Sequence, residues 1–278
     1  MHDITRPSLP FMKMHGLGND FVVIDDRGSP APRVEGRLVT ALADRHRGVG
    51  FDQLAVITEG GNADLRLTFW NADGSMSAAC GNATRCIAAW EMGRTGRDRL
   101  AIATDTGVLT AVDAGDGLTS VNMGPPRLTW DEIPLAEAMD TLALPIEGRP
   151  TATGMGNPHC SFFVKDVATV DLATFGPAHE HHPLFPMRTN VQVVQVIGPD
   201  HLRMRVWERG TGITLASGSS SCAVTVAAAR RGLTARKVTL DCDGGRLWIH
   251  WREDGVCMTG PTMLAFDGVL TPQFLGAL

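Results

Sequence analysis

Short runs of apolar residues, each closed by Gly, Asp, Asn or Pro, fill most of this 278-residue chain, and that punctuation predicts strands. They fall at 10–14, 21–24, 54–58, 65–70, 100–103, 108–112 and 118–122, then again at 151–154, 159–164, 191–197, 202–207, 238–241, 247–251, 256–259 and 263–266. The pattern changes at two places. After Cys80 the residues Ile87, Ala88, Ala89 and Trp90 run on without a polar face, and after Ser217 the run Ala223, Val224, Val226 and Ala227 to Ala229 does the same. Such segments read as buried helices, so helices are predicted at 80–92 and 219–231, with a third at 39–45.

The two buried helices begin alike. WNADGSMSAACGNATRCIAAW leads from Trp70 through Cys80, Gly81 and Asn82, and WERGTGITLASGSSSCAVTVAAARRG leads from Trp207 through Ser217 and Gly218, with Cys222 near the place of Cys86. The chain therefore reads as an approximate internal duplication. The first turn of a helix offers backbone N–H groups without partners and the positive end of the macrodipole, a setting that favours a thiolate or a carboxylate. The expected fold is α/β (α+β): two pseudo-symmetric domains, each a curved, mostly antiparallel sheet around a central helix, with the active site in the cleft between them. The turn-rich GPPRLT at 124–129 and the aperiodic acidic stretch after it put the boundary between domains 1–125 and 126–278, and the C-terminal tail can belong to the first.

Composition narrows the function. With 44% apolar and 20% charged residues and a net charge of −5, the chain has the balance of a globular protein, and its scattered Lys and Arg argue against a nucleic-acid surface. No apolar run has the length of a membrane span and the start MHDITRPSLP is too polar for a signal peptide, so the expected location is cytoplasmic. Six cysteines without a CxxC pair suit neither a disulfide scaffold nor a thiolate zinc site.

Several weaker signals have plain readings. The loop HGLGND at 15–20 is half of a dinucleotide fingerprint, with no GxGxxG completed. His179, Glu180, His181 and His182 adjoin one another between prolines and read as a solvated loop rather than a metal site. Asn157-Pro158-His159 suits a turn and a site equally. A pyridoxal phosphate enzyme would need a Schiff-base lysine, and Lys13, Lys165 and Lys237 all lack a neighbouring phosphate-binding glycine loop. No cofactor and no metal are expected.

FMKMHGLGNDFVVID, FDQ at 51–53, FWNADGS running into ACGNATRC, GNPHC at 156–160, RTN at 188–190 and WERGTG, in that order, give the chain a resemblance to the diaminopimelate epimerases. The resemblance implies cofactor-independent inversion of one α-carbon of LL-2,6-diaminopimelate to the meso isomer, a precursor of lysine and peptidoglycan. Inversion needs one group to remove the α-proton from one face and another to deliver a proton to the other. The family uses a thiolate and a thiol, at the positions of Cys80 and Ser217. The resemblance further places Gly81 and Asn82, with Gly218 and Ser219, on the substrate α-carboxylate. Asn19, Gln53, Asn71, Asn157, Asn190 and Arg209 fall at substrate-binding positions, and His159 and Glu208 beside the reacting groups. It also implies a homodimer. The family's aromatic contact near the C-terminus is often tyrosine, but this chain has none and Phe266 occupies that region.

Ser217 is the departure. A hydroxyl is a far weaker acid than a thiol and has almost no anionic form near neutrality unless a base such as His159 or Glu208 takes its proton. Three readings stand: an epimerase whose serine is assisted by neighbours, a catalytically impaired amino-acid-binding homologue, or an epimerase or dehydratase of another amino acid such as a hydroxyproline. Retention of Asn71, Asn190 and Arg209 favours the first substrate class.

Overall fold

The computed structural model describes residues 8–77 and 79–278; most of the polar N-terminal stretch judged above lies outside them. The chain divides into two compact units. One comprises the chain up to Gly16, Asp20–Asp113 and Thr262–Leu278, and the other comprises Leu17–Asn19 and Ala114–Pro261. The second unit thus begins some residues before the expected boundary at 125. Strand Leu118–Asn122 is the reason, since it pairs antiparallel with Gly255–Pro261. Strand Met263–Leu270 pairs with Leu9–Gly16, which returns the C-terminal tail to the first unit.

The duplication is written in the topology. Strand Asn19–Asp25, helix Gly36–Ala43, strands Gln53–Thr58, Leu65–Asn71 and Met76–Ser77, helix Gly81–Thr95 and strands Arg99–Thr104 and Gly107–Gly115 follow one another. The same order recurs as Pro158–Phe163, helix Leu172–Glu180, Asn190–Gly198, His201–Glu208, Gly212–Thr214, helix Gly218–Arg230, Lys237–Cys242 and Gly245–Arg252. Pairings repeat as well: the first two strands of each set are parallel, the next two ladders antiparallel, the next parallel and the last antiparallel. Each parallel step is crossed by a helix, as a parallel connection requires. Both sheets are therefore mixed, with antiparallel ladders the more numerous.

The two longest helices are buried on nearly every side, Gly81–Thr95 through Ala83, Cys86, Ile87, Ala88 and Met92, and Gly218–Arg230 through Cys222, Ala223, Val224, Val226, Ala227 and Ala228. Two of their buried hydroxyls are satisfied along the helix: Thr84 Oγ1 donates to the Cys80 carbonyl at 2.8 Å and Ser221 Oγ to the Ser217 carbonyl at 2.7 Å. The same back-bond sits at the same turn of both, so hydroxyls are tolerated in apolar surroundings. Around Gly218–Arg230, the sheet supplies Leu202, Met204, Val206, Leu240, Ile249 and Met258.

Two local expectations change. The helix expected at 39–45 is Gly36–Ala43, because Asp44 accepts from the amides of His46 and Arg47 at 2.8 and 2.9 Å and so ends it. The expected solvated loop around His179 is in fact the end of helix Leu172–Glu180. Its buried residues are Leu172, Gly176 and Glu180, and the His179 ring packs against Phe175 and Phe162. Prolines and a glycine disguised it. A Cβ at Gly176 would lie 2.4 Å from Trp207 Cγ, so the glycine lets the indole rest on the helix backbone.

Candidate active site

Cys80 is the N-cap of helix Gly81–Thr95, with extended backbone, and its sulfur accepts the Ala83 N–H at 3.5 Å. An amide aimed at sulfur in the first helical turn favours negative charge there. None of the six cysteines is in a disulfide and all are buried. Desolvation pushes Cys86 up to about 11 and Cys242 up to about 12, and raises Cys160 and Cys257 as well, so those four behave as apolar filler.

The side chains beside Cys80 are fixed in place. Asn82 is buried and accepts from Arg85 Nη1 at 2.9 Å, while Arg85 itself is fully buried. A Cβ at Gly16 would come within 2.7 Å of Arg85 Nη2, so the first strand runs close against this guanidinium. Gln53 and Asn71 are direct cross-strand partners. Gln53 Nε2 donates to Asn71 Oδ1 at 3.2 Å and to Ser77 Oγ at 3.1 Å, and Ser77 Oγ donates to the Ala79 carbonyl at 3.3 Å, next to Cys80. Asn19 is buried and grouped with the second unit.

Ser217 is the equivalent N-cap of helix Gly218–Arg230, but its hydroxyl does not cap the helix. It donates to Glu208 Oε2 at 2.8 Å, and Thr214 Oγ1 donates to Glu208 Oε1 at 2.6 Å. Serine is a favoured N-cap, so a hydroxyl turned from the helix to a carboxylate forgoes that bond for a different partner. Both carboxylate oxygens accept, the arrangement of an ionised group.

His159 lies elsewhere in the network. Gln192 Nε2 donates to His159 Nδ1 at 3.1 Å, and His159 Nε2 is 2.8 Å from Asn157 Oδ1. The amide donor fixes the proton on Nε2, and Ser220 Oγ, 3.4 Å from Nδ1, also receives a Gln192 N–H at 3.1 Å. Burial, then the Arg209 guanidinium, push His159 down to about 3. Of the two bases considered for Ser217, Glu208 is the one bonded to it. The neutral His159 also has a stability consequence. Below the ordinary histidine range the unfolded chain binds a proton that the folded chain refuses, so stability falls as pH drops from about 6.5 towards 3, by up to about 1.4 kcal/mol per pH unit. His159→Gln is expected to flatten urea-unfolding stability between about pH 6.5 and 4.5 by part of that slope; an unchanged slope would mean the imidazole protonates in the folded state.

Asn190 ties strand to turn, donating from Nδ2 to the Pro158 carbonyl at 3.0 Å and accepting the Arg209 N–H at 3.0 Å. Arg209 Nη1 donates to the Met187 carbonyl at 3.1 Å, and burial followed by the Arg188 charge lowers its pKa. Gly81, Gly218 and Ser219 occupy the first turns of their helices as expected. Gln192 and Ser220 were missed from sequence; their signal is polar side chains inside a buried strand and a buried helix. Lys13 is paired with Asp20. Among the described residues no group of three His, Cys, Asp or Glu side chains could hold a metal ion, and no helix is long and apolar enough to cross a membrane.

This duplicated, mixed α/β fold is shared with a hydroxyproline epimerase from Agrobacterium vitis, at a TM-score of 0.72 and 12% identity, covering 97% of this chain and 94% of that one. At that identity the likeness concerns the fold alone. The pattern of the diaminopimelate epimerase family matches residues 11–129 and 151–264. A diaminopimelate epimerase from Rhodospirillum centenum is 54% identical over 95% of this chain and 93% of its own length, and one from Acidiphilium cryptum is 50% identical over 96% and 98%. The chain belongs to the diaminopimelate epimerase family.

Proposed function

We propose that this protein epimerises LL-2,6-diaminopimelate to the meso isomer, with Cys80 and Ser217 as the proton-transferring pair and Glu208 as the group that loads and unloads Ser217. The observation that carries the reading is the equivalent placement of Cys80 and Ser217 as N-caps of duplicated helices, with the Ser217 hydroxyl on Glu208. In one direction the Cys80 thiolate takes the α-proton, Ser217 Oγ–H protonates the opposite face, and protonated Glu208 returns a proton to Ser217. In the other, Ser217 Oγ takes the α-proton as its own proton passes to the Glu208 carboxylate, and the Cys80 thiol delivers a proton. Each direction begins with one transferable proton on the Cys80–Glu208 couple.

The remaining roles follow the same reading. Backbone N–H groups of Gly81, Asn82, Gly218 and Ser219 hold the α-carboxylate and stabilise charge as the proton leaves. Asn19, Gln53, Asn71, Asn157, Asn190 and Arg209 hold the rest of the substrate, and buried, neutral His159 orients Asn157. Proton NMR with LL-2,6-diaminopimelate in deuterated water tests this directly. Loss of the α-proton signal with appearance of the meso isomer is expected; no exchange both in this protein and after Ser217→Cys, together with no binding of LL-2,6-diaminopimelate, would refute the substrate. Because Ser217 replaces a thiol, the second reading is an amino-acid-binding homologue, which would bind the substrate without any exchange.

The working form is a homodimer in the cytoplasm. Cysteines kept out of disulfides suit a reducing compartment. On strand Met263–Leu270 the register with Leu9–Gly16 puts Met263 and Phe266, 52% and 51% exposed, on one face, apolar surface suited to a second copy. Phe266→Glu is expected to shift sedimentation from dimer to monomer; a wild-type monomer at micromolar concentration would refute the dimer.

A further inference from the structure

We propose that Glu180 is a positioning residue for this reaction, its carboxylate holding the turn 207–210 that presents Glu208 and Arg209. The inference rests on the function proposed above. Glu180 closes helix Leu172–Glu180 and is 3% exposed. Its Oε2 accepts the Trp207 Nε1–H at 2.7 Å, and its Oε1 accepts the Gly210 N–H at 2.9 Å and Arg188 Nη1 at 3.3 Å.

The grip brackets the two functional side chains. Trp207 and Gly210 stand on either side of Glu208 and Arg209. The intervening amide, Arg209 N–H, goes to Asn190 Oδ1, and the turn closes with Thr211 N–H on the Glu208 carbonyl at 3.0 Å. Gly210 sits at φ +75, and the carboxylate fixes its N–H in that conformation. One helical turn earlier, Gly176 lets the Trp207 indole rest against the same helix, so the indole is held by contact on its face and by a bond at its edge.

Burying a carboxylate is costly unless its oxygens are well bonded, and an apolar residue would have closed this short helix without that cost. The partners Glu180 takes are donors of the turn and Arg188. Misplacing a catalytic group by about 1 Å costs on the order of 100-fold in rate. A carboxylate that locks both ends of this turn therefore acts on Arg209, which binds, and on Glu208, which serves Ser217.

Glu180→Gln keeps the shape but replaces one acceptor oxygen with a donor, leaving Trp207 or Gly210 without its bond. In the full-length variant, KM for LL-2,6-diaminopimelate is expected to rise and kcat to fall, together lowering kcat/KM by about 10- to 100-fold. Hydrogen exchange in the peptide spanning 207–211 is expected to quicken while helix Gly218–Arg230 keeps its protection. Mere loss of folded protein would lower kcat with KM unchanged and leave exchange in the turn no faster than elsewhere, which would overturn the proposal. Faster exchange in the turn with unaltered kinetics would also overturn it. Should Glu180→Gln not fold, Trp207→Phe removes the Nε1–H donor together with part of the indole's packing, and the same pair of readouts applies: a raised KM with a loosened turn supports the proposal, and unchanged kinetics overturn it. A wild-type protein with no turnover refutes the proposed function itself, whereas a working wild type whose folded variants are kinetically unaltered refutes only the role of Glu180.

Discussion

Cys80→Ala is expected to abolish α-proton exchange, lowering the rate on LL-2,6-diaminopimelate by about 10⁴-fold, the upper end of what a positioned acid or base supplies. Cys80 serves both directions of inversion, as thiolate in one and thiol in the other, so its loss removes both. The other thiols are poorly placed to take over: burial raises Cys86, Cys160, Cys242 and Cys257 away from the reactive range, and Cys222 is fully buried inside helix Gly218–Arg230. The fold should survive: the cap bond from Ala83 N–H to the sulfur is long, 3.5 Å, and losing an N-cap side chain costs about 1 kcal/mol. NMR wash-out beside a thermal melt separates the two effects. Exchange kept within about tenfold of wild type, in a variant with an unchanged melt, would remove Cys80 from the mechanism.

Both helix caps were readable because each follows a glycine-containing loop and opens a run with no polar face, which leaves the helix nowhere to go but inside a sheet. The duplication was readable in those two junctions but extends further than they indicated. Helix Leu172–Glu180 is the counterpart of Gly36–Ala43, and it escaped notice because its buried positions are Gly176 and Glu180 rather than a hydrophobic stripe. Glycine is there for the Trp207 ring, and the glutamate for donors 27 and 30 residues further along. Contacts so distant in sequence leave no local period. The choice of Glu208 over His159 as the partner of Ser217 was equally hidden. It depends on the short return strand Gly212–Thr214, which pairs Glu208 with Gly212 and supplies Thr214 to the second carboxylate oxygen. Gln192 did leave a trace, as a polar residue two places after Asn190 and between the apolar Val191 and Val193, on the face that reaches His159 and Ser220.

Glu208→Gln is expected to cost about 10²- to 10⁴-fold in turnover, because the amide can neither take nor return the proton that Ser217 must exchange. The hydrogen bond alone is not the issue: glutamine can still accept from the Ser217 hydroxyl, so a purely structural Glu208 would leave the rate near wild type. Restoring the thiol discriminates further. A cysteine has a reference pKa near 8.5 and carries its own proton on and off close to neutrality, so Ser217→Cys should raise turnover above wild type. It should also make Glu208→Gln far less damaging. The two substitutions would then be non-additive by at least about tenfold, a coupling of about 1.4 kcal/mol, as expected for groups 2.8 Å apart that act as one unit. Additive effects would mean that Glu208 acts on the substrate or the fold independently of Ser217. The relay through serine would then be wrong even if the protein proved to be a competent epimerase.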